Sequence, residues 1–98
     1  YEAVLRFDPT NVVVMNNLAW NMCISHTNLM RAEELSRTTI LRESSNPIYI
    51  DTYAWIMYQL GDCTSAKFFI ERAIELLGDK ADKEIKMHYK TIIKACKE

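Results

Sequence analysis

Leu18-Ala19-Trp20 and Tyr53-Ala54-Trp55 are two copies of one pattern, separated by 35 residues. The flanking positions repeat as well, since Met22 recurs as Met57 at the same interval. A third and weaker copy, Tyr89-Lys90-Thr91, follows 36 residues after the second. A fixed period in the range of about 20–50 residues is typical of stacked supersecondary units that share one core. The sequence therefore predicts a repeat array.

The composition favours helices in a single domain. The chain has 98 residues, of which 49% are hydrophobic, an ordinary share for a folded protein. It contains only two Gly and two Pro, so few turns that need special backbone angles can form. Long β-meanders are hard to build from such a sequence, and we expect an all-α fold.

Turn residues divide the chain into helices. Asn46 is a predicted N-cap, and Pro47 suits the first position of a helix. Gly61 can adopt the left-handed conformation that ends one. Tyr1 to Phe7 reads as the last turns of a helix that begins before the chain does, and Pro9 stops it. The predicted helices that follow cover about 12–25, 29–43, 47–60, 64–77 and 81–96.

Apolar residues recur at helical spacing within these segments, and the short turns between them require antiparallel neighbours. One helix has its apolar face at Ala66, Phe69, Ile70, Ala73, Ile74 and Leu77. The inner face of the last helix is predicted at Ile85, Tyr89, Ile92, Ile93 and Cys96.

These features resemble the tetratricopeptide repeat (TPR). That family places a large-small pair on the first helix of each repeat, as Leu18-Ala19 and Tyr53-Ala54 do here. Small residues are required where the two helices of a repeat cross, because only they allow the backbones to approach closely. Ala32, Ala66 and Ala73 match those positions.

The chain departs from the TPR pattern at several positions. Thr39 stands where the family has Ala, and Ser44 stands where it has Pro. Lys90 occupies a slot that should be small, which indicates that the last helix caps the array. The segment Asp51-Thr52-Tyr53-Ala54-Trp55-Ile56-Met57-Tyr58 looks most like bacterial TPR proteins of the Bacteroides type.

The resemblance implies antiparallel hairpins stacked as a right-handed superhelix of about six helices. It implies one domain over 1–98, with the end of a truncated repeat at 1–9 and a capping helix at 81–98. Full repeats occupy 12–46 and 47–80. If it holds, the compartment is the bacterial cytoplasm or the cell envelope, and the sequence alone leaves the location unknown.

In TPR proteins the first helices of the repeats line a concave groove that holds a partner. When the groove positions of the family are matched to this sequence, the resemblance implies a protein- or peptide-binding face. The residues of that face are Asn16, Trp20, Cys23, Asp51, Trp55, Tyr58 and Gln59. The simpler alternative is that Trp20 and Trp55 fill the inner curve as core residues. A receptor for a chaperone's C-terminal carboxylate is not expected, since Asp51 would repel that group.

A second candidate surface is a stripe of lysines. Lys83, Lys86, Lys90, Lys94 and Lys97 follow one another at spacings of 3, 4, 4 and 3, so they share one helix face. The plain interpretation is a solvated face on a capping helix, which repeat arrays need for solubility. The alternative is a basic face for an acidic partner or a membrane surface.

Catalytic, metal-binding and cofactor-binding motifs are missing from the sequence. No Gly-rich phosphate loop or His-Glu-x-x-His motif occurs. Cys23-x-x-His26 has metal-like spacing but lacks a second pair. Three cysteines disfavour a disulfide framework and leave a single bridge open. The net charge of −1 argues against a nucleic-acid partner, and no apolar run is long enough for a membrane span.

The function that this sequence favours is a protein–protein interaction scaffold without enzymatic activity. The alternative is a structural spacer or self-association module within a larger protein. Tyr1, Val4 and Leu5 belong to a helix without its hairpin partner, so we expect self-association through the N-terminal end.

Overall fold

The computed structural model describes residues 12–96. The truncated helix expected at 1–9, the self-association site at Tyr1, Val4 and Leu5, and Lys97 all lie outside this range. The described chain forms five α-helices and one 3₁₀ turn, so the predicted all-α class is confirmed. They are α1 (Val12–Ile24), α2 (Leu29–Arg42), α3 (Pro47–Gln59), α4 (Cys63–Leu77), the 3₁₀ turn (Gly78–Lys80) and α5 (Lys83–Ala95).

Each of the helices α2 to α5 begins at an Asn or Asp whose side chain accepts a hydrogen bond from a backbone amide in the first turn. The acceptors are Asn28, Asn46, Asp62 and Asp82. The shortest of these bonds joins the Asp82 Oδ1 atom and the Ile85 amide, at 2.9 Å. A cap of this kind is worth about 1 kcal/mol, because it satisfies an amide that has no partner within the helix.

The first helix of each hairpin ends in a left-handed residue. Gly61 has φ of +87° after α3, as predicted, and the Asp62 amide donates to the Met57 carbonyl at 2.9 Å. His26 lies 35 residues earlier and has φ of +55° after α1, although it carries a Cβ atom. His26 is therefore a turn residue, as expected, and it repeats the role of Gly61.

Helices that follow one another along the chain are packed together. In addition, α1 contacts α3 and α3 contacts α5. The helices that open the two repeats and the last helix therefore form one row. This row brings together side chains that are far apart in the sequence.

Fully buried alanines lie between the packed helices. Ala19, Ala32, Ala54, Ala66 and Ala73 each expose none of their surface. Thr39, at a position where the TPR pattern has Ala, is also fully buried. Its hydroxyl donates to the Ser36 carbonyl at 2.6 Å, so the additional polar atom is satisfied within its own helix.

A disulfide joins Cys63, the first residue of α4, to Cys96, directly after α5. The sequence disfavoured a disulfide framework but left one bridge open, and this is that single bridge. The two Cα atoms are 5.4 Å apart, within the usual range for a disulfide. The bridge links the beginning of α4 to the end of α5, so it holds the last helix against the preceding one.

The helix crossing at Ala66 gives a stability prediction. Replacing Ala66 with Leu should lower the free energy of unfolding by about 1–3 kcal/mol, because the added atoms have no space. Urea denaturation measures the change. The matched control is Ala95→Leu, which makes the same substitution at an exposed position. Equal denaturation midpoints for the two variants would contradict the close helix approach.

The disulfide gives a second stability prediction. Its cysteines are separated by 33 residues, and in the chain-entropy description a loop of that length contributes about 3–4 kcal/mol. Dithiothreitol should lower the urea midpoint of the wild-type protein to that of a Cys63→Ser/Cys96→Ser double variant. The same reductant should leave the double variant unchanged. If dithiothreitol leaves the urea midpoint of the wild-type protein unchanged, the bridge does not contribute to stability.

Candidate functional site

A buried pair of ionisable side chains lies at the centre of the row formed by α1, α3 and α5. The His88 Nδ1 atom on α5 is 2.9 Å and 3.1 Å from the two carboxylate oxygens of Asp51 on α3. Asp51 exposes 6% of its surface and His88 exposes 7%. Because Nδ1 bonds a carboxylate, it carries the proton, and the ring is fixed in orientation.

Two tryptophans contact this histidine. The imidazole centroid is 4.5 Å from the Trp55 ring and 5.5 Å from the Trp20 ring. Trp55 in turn contacts Tyr58 at 5.0 Å. Trp20, His88, Trp55 and Tyr58 therefore form a continuous series of ring contacts, which we call the aromatic row.

The aromatic row depends on three helices for its geometry. Trp20 comes from α1, Trp55 and Tyr58 come from α3, and His88 comes from α5. Trp20 and Trp55 occupy equivalent positions of the 35-residue repeat, and so do Asn16 and Asp51. Trp20, Trp55 and Tyr58 each remain partly exposed, so the row has a side that solvent can reach.

The pKa of His88 is raised above its ordinary value. Desolvation by burial alone would lower this pKa, because it disfavours the imidazolium. The hydrogen bond to Asp51 and the negative charges of Asp51, Glu84 and Asp82 act in the opposite direction and outweigh the burial. The raised pKa extends the pH range over which the imidazole is protonated while it contacts the two indole rings.

Asn16 lies one helical turn before Trp20 and exposes 7% of its surface. Its Oδ1 atom is buried and has no hydrogen-bond partner among residues 12–96. A buried acceptor without a partner costs about 1–3 kcal/mol, so it calls for an explanation. Within residues 12–96 it is therefore an unpaired acceptor, and it is closed to solvent.

The other residues predicted for the concave face have different environments. Cys23 is fully buried, and burial raises the pKa of its thiol to about 11. It is a packing residue with an unreactive thiol. His26, the other member of the Cys23-x-x-His26 spacing, is exposed, whereas Cys23 is buried. Gln59, at the end of α3, is partly buried. Of the predicted set, Trp20, Trp55 and Asp51 contact His88, and Tyr58 contacts Trp55.

The predicted lysine stripe lies on the solvent side of α5. Lys83, Lys86, Lys90 and Lys94 are exposed, and none of them forms an ion pair within the described residues. Met87 exposes 62% of its surface, and with Lys83, Lys86 and Lys90 it lines a shallow groove. The stripe is therefore separate from the aromatic row and faces away from it.

Sequence reasoning missed His88 as a site residue. We expected Tyr89 and Ile93 on the inner face of α5, but His88 is buried there with Ile85, while Tyr89 and Ile93 are partly buried. The signal was present, since His88 lies three residues after Ile85. A histidine in a buried stripe requires a partner, and Asp51 is the charged residue in the buried stripe of the preceding repeat.

The remaining chemistry of the described residues is sparse. Between residues 12 and 96, no group of three or more His, Cys, Asp and Glu side chains has the arrangement of a metal site. The helices in that range also fall short of the length and apolarity needed to cross a bilayer.

Comparisons of the chain with protein-family models, with curated proteins and with solved structures found no match.

The buried pair predicts a pH dependence of stability. The folded pKa of His88 lies above the unfolded value of about 6.5, so the pair contributes fully below pH 6.5 or so. The contribution is lost as pH rises through the folded pKa. Urea denaturation between pH 5 and 9 should therefore show a decline in stability above pH 6.5 or so.

Two variants check the origin of that decline. Asp51→Asn should abolish it and also cost about 3–5 kcal/mol, because a buried histidine loses its charged partner. His26→Gln removes the other, exposed histidine and should keep the decline. A wild-type stability that rises over the same pH range would contradict the assignment.

Proposed function

We propose that this chain is a protein–protein interaction scaffold that binds a partner peptide or protein through the aromatic row. In this proposal the helices form a TPR-like array, and the row lies on its concave face. The observation that carries the proposal is the series of ring contacts across three helices, of which Trp20, Trp55 and Tyr58 keep part of their surface exposed.

The physical support comes from the energetics of interfaces. Tryptophan and tyrosine are enriched among the residues that dominate binding energy, because they bury a large area and lose little side-chain entropy. Here the rings are also held in fixed positions. His88 contacts both tryptophans, and its own ring is fixed by Asp51. A rigid aromatic surface loses less entropy when it binds a partner.

The alternative function is a structural spacer or self-association module. The observation that favours it is the same packing of His88 against both tryptophans, since rings that fill a core contribute to stability. In that case truncation of Trp55 would unfold the domain and would have no effect specific to binding.

A peptide-display experiment separates the two functions. Random peptides are selected on the wild-type protein, and their affinities are measured by titration. Trp55→Leu keeps apolar bulk but removes the indole, and it should weaken the selected peptides by about thirtyfold, equivalent to about 2 kcal/mol. Phe68→Gln is the matched control, because Phe68 is an aromatic residue on α4 that exposes 64% of its surface.

Both variants are first checked for a cooperative thermal transition. Equal affinities of the selected peptides for Trp55→Leu and wild type would move the binding site away from the aromatic row. In that case, loss of affinity for the selected peptides in Lys83→Gln and Lys86→Gln would assign the binding site to the lysine stripe.

A further inference from the structure

The charges around the aromatic row are negative. Glu84 precedes His88 by four residues, so the two lie on the same side of α5. Asp82 caps the same helix, and Asp51 approaches from α3. All three carboxylates act on His88, and no lysine or arginine among residues 12–96 does so. The positively charged lysine stripe lies on the opposite side of α5. The charges near the aromatic row are therefore opposite in sign to those of the stripe.

His88 indicates which chemistry these surroundings favour. It is a cation-forming ring held against two indoles and paired with a carboxylate. The faces of tryptophan and tyrosine rings attract cations through their quadrupoles. The exposed parts of Trp20, Trp55 and Tyr58 offer the same attraction to a ligand, with Glu84 as an exposed carboxylate nearby.

The hydrogen-bonding groups agree with the charges. Glu84 is exposed, and it makes no ion pair within the described residues. An arginine side chain has five N–H donors and no acceptor, and a lysine ammonium has three donors. The Glu84 carboxylate and the aromatic faces together match a donor-only cation.

We infer that the aromatic row binds an arginine- or lysine-bearing segment of a partner protein. The cationic side chain stacks on the exposed indole and phenol surfaces, and Glu84 pairs with its charge. This inference rests on the function proposed above and specifies the chemical class of the partner. An acidic partner would instead be matched to the lysine stripe, and the experiment below distinguishes the two.

The test uses the indole N–H signals of ¹⁵N-labelled protein. The chain contains two tryptophans, so Trp20 and Trp55 give two signals that report directly on the row. The probe is a blocked peptide of alternating glycine and arginine. Two matched peptides replace arginine with citrulline, which has the same shape without the charge, or with glutamate.

We expect the arginine peptide to shift both indole signals saturably. The citrulline peptide should bind at least about threefold more weakly, because an exposed cation–π contact and a charge pair are both lost. The glutamate peptide should leave the indoles unshifted. Glu84→Gln should weaken the arginine peptide by about two- to fivefold. Lys86→Gln, a charge change on the other side of the same helix, should not weaken it.

The inference fails if citrulline and arginine peptides bind equally, if Glu84→Gln has no effect, or if the glutamate peptide shifts the indoles. Its failure is distinguishable from that of the proposed function. One outcome is that the selected peptides depend on Trp55 and yet lack basic residues. That result would support the proposed scaffold function and contradict the inference of a basic partner. Peptides that are insensitive to Trp55, together with unshifted indoles, would overturn both.

Discussion

The buried contact between Asp51 and His88 is the interaction on which the row of helices depends. It joins α3 to α5, and the imidazole also contacts the indole of Trp20 from α1. Removing water from two ionisable groups is costly, and leaving one of them buried without the other costs more. The contact therefore favours the docked position of α5. While α5 is docked, Trp55 and Trp20 have a fixed neighbour.

A second link fixes the same helix. The disulfide from Cys63 holds the C-terminal end of α5, eight residues beyond His88. Between the two links, Ile92 is fully buried. The helix is thus attached at its middle by a polar contact, at its end by a covalent bond, and along its inner face by apolar packing. This attachment keeps Glu84 on the side of the aromatic row and keeps the lysine stripe in solvent.

The features that follow from local chemistry could be predicted from the sequence. The helix ends at Asn46 and Gly61 are set by capping and backbone angles of a few neighbouring residues, and the structure has both. The buried alanines follow from the repeat period. His88 could not be assigned in the same way, because its partner is 37 residues away and depends on which helices become neighbours. The pairing of Cys63 with Cys96 likewise depends on two helix ends that meet only in the folded chain.

A proton NMR titration of His88 tests the central claim, that the pKa of this imidazole is raised and that the ring contacts both indoles. The account predicts that His88 titrates with a pKa above the ordinary value of about 6.5, because its carboxylate neighbours outweigh its burial. It also predicts that the indole signals of Trp20 and Trp55 move with the same midpoint. A pKa at or below 6.5 or so, or indole signals that do not follow the titration, would contradict it.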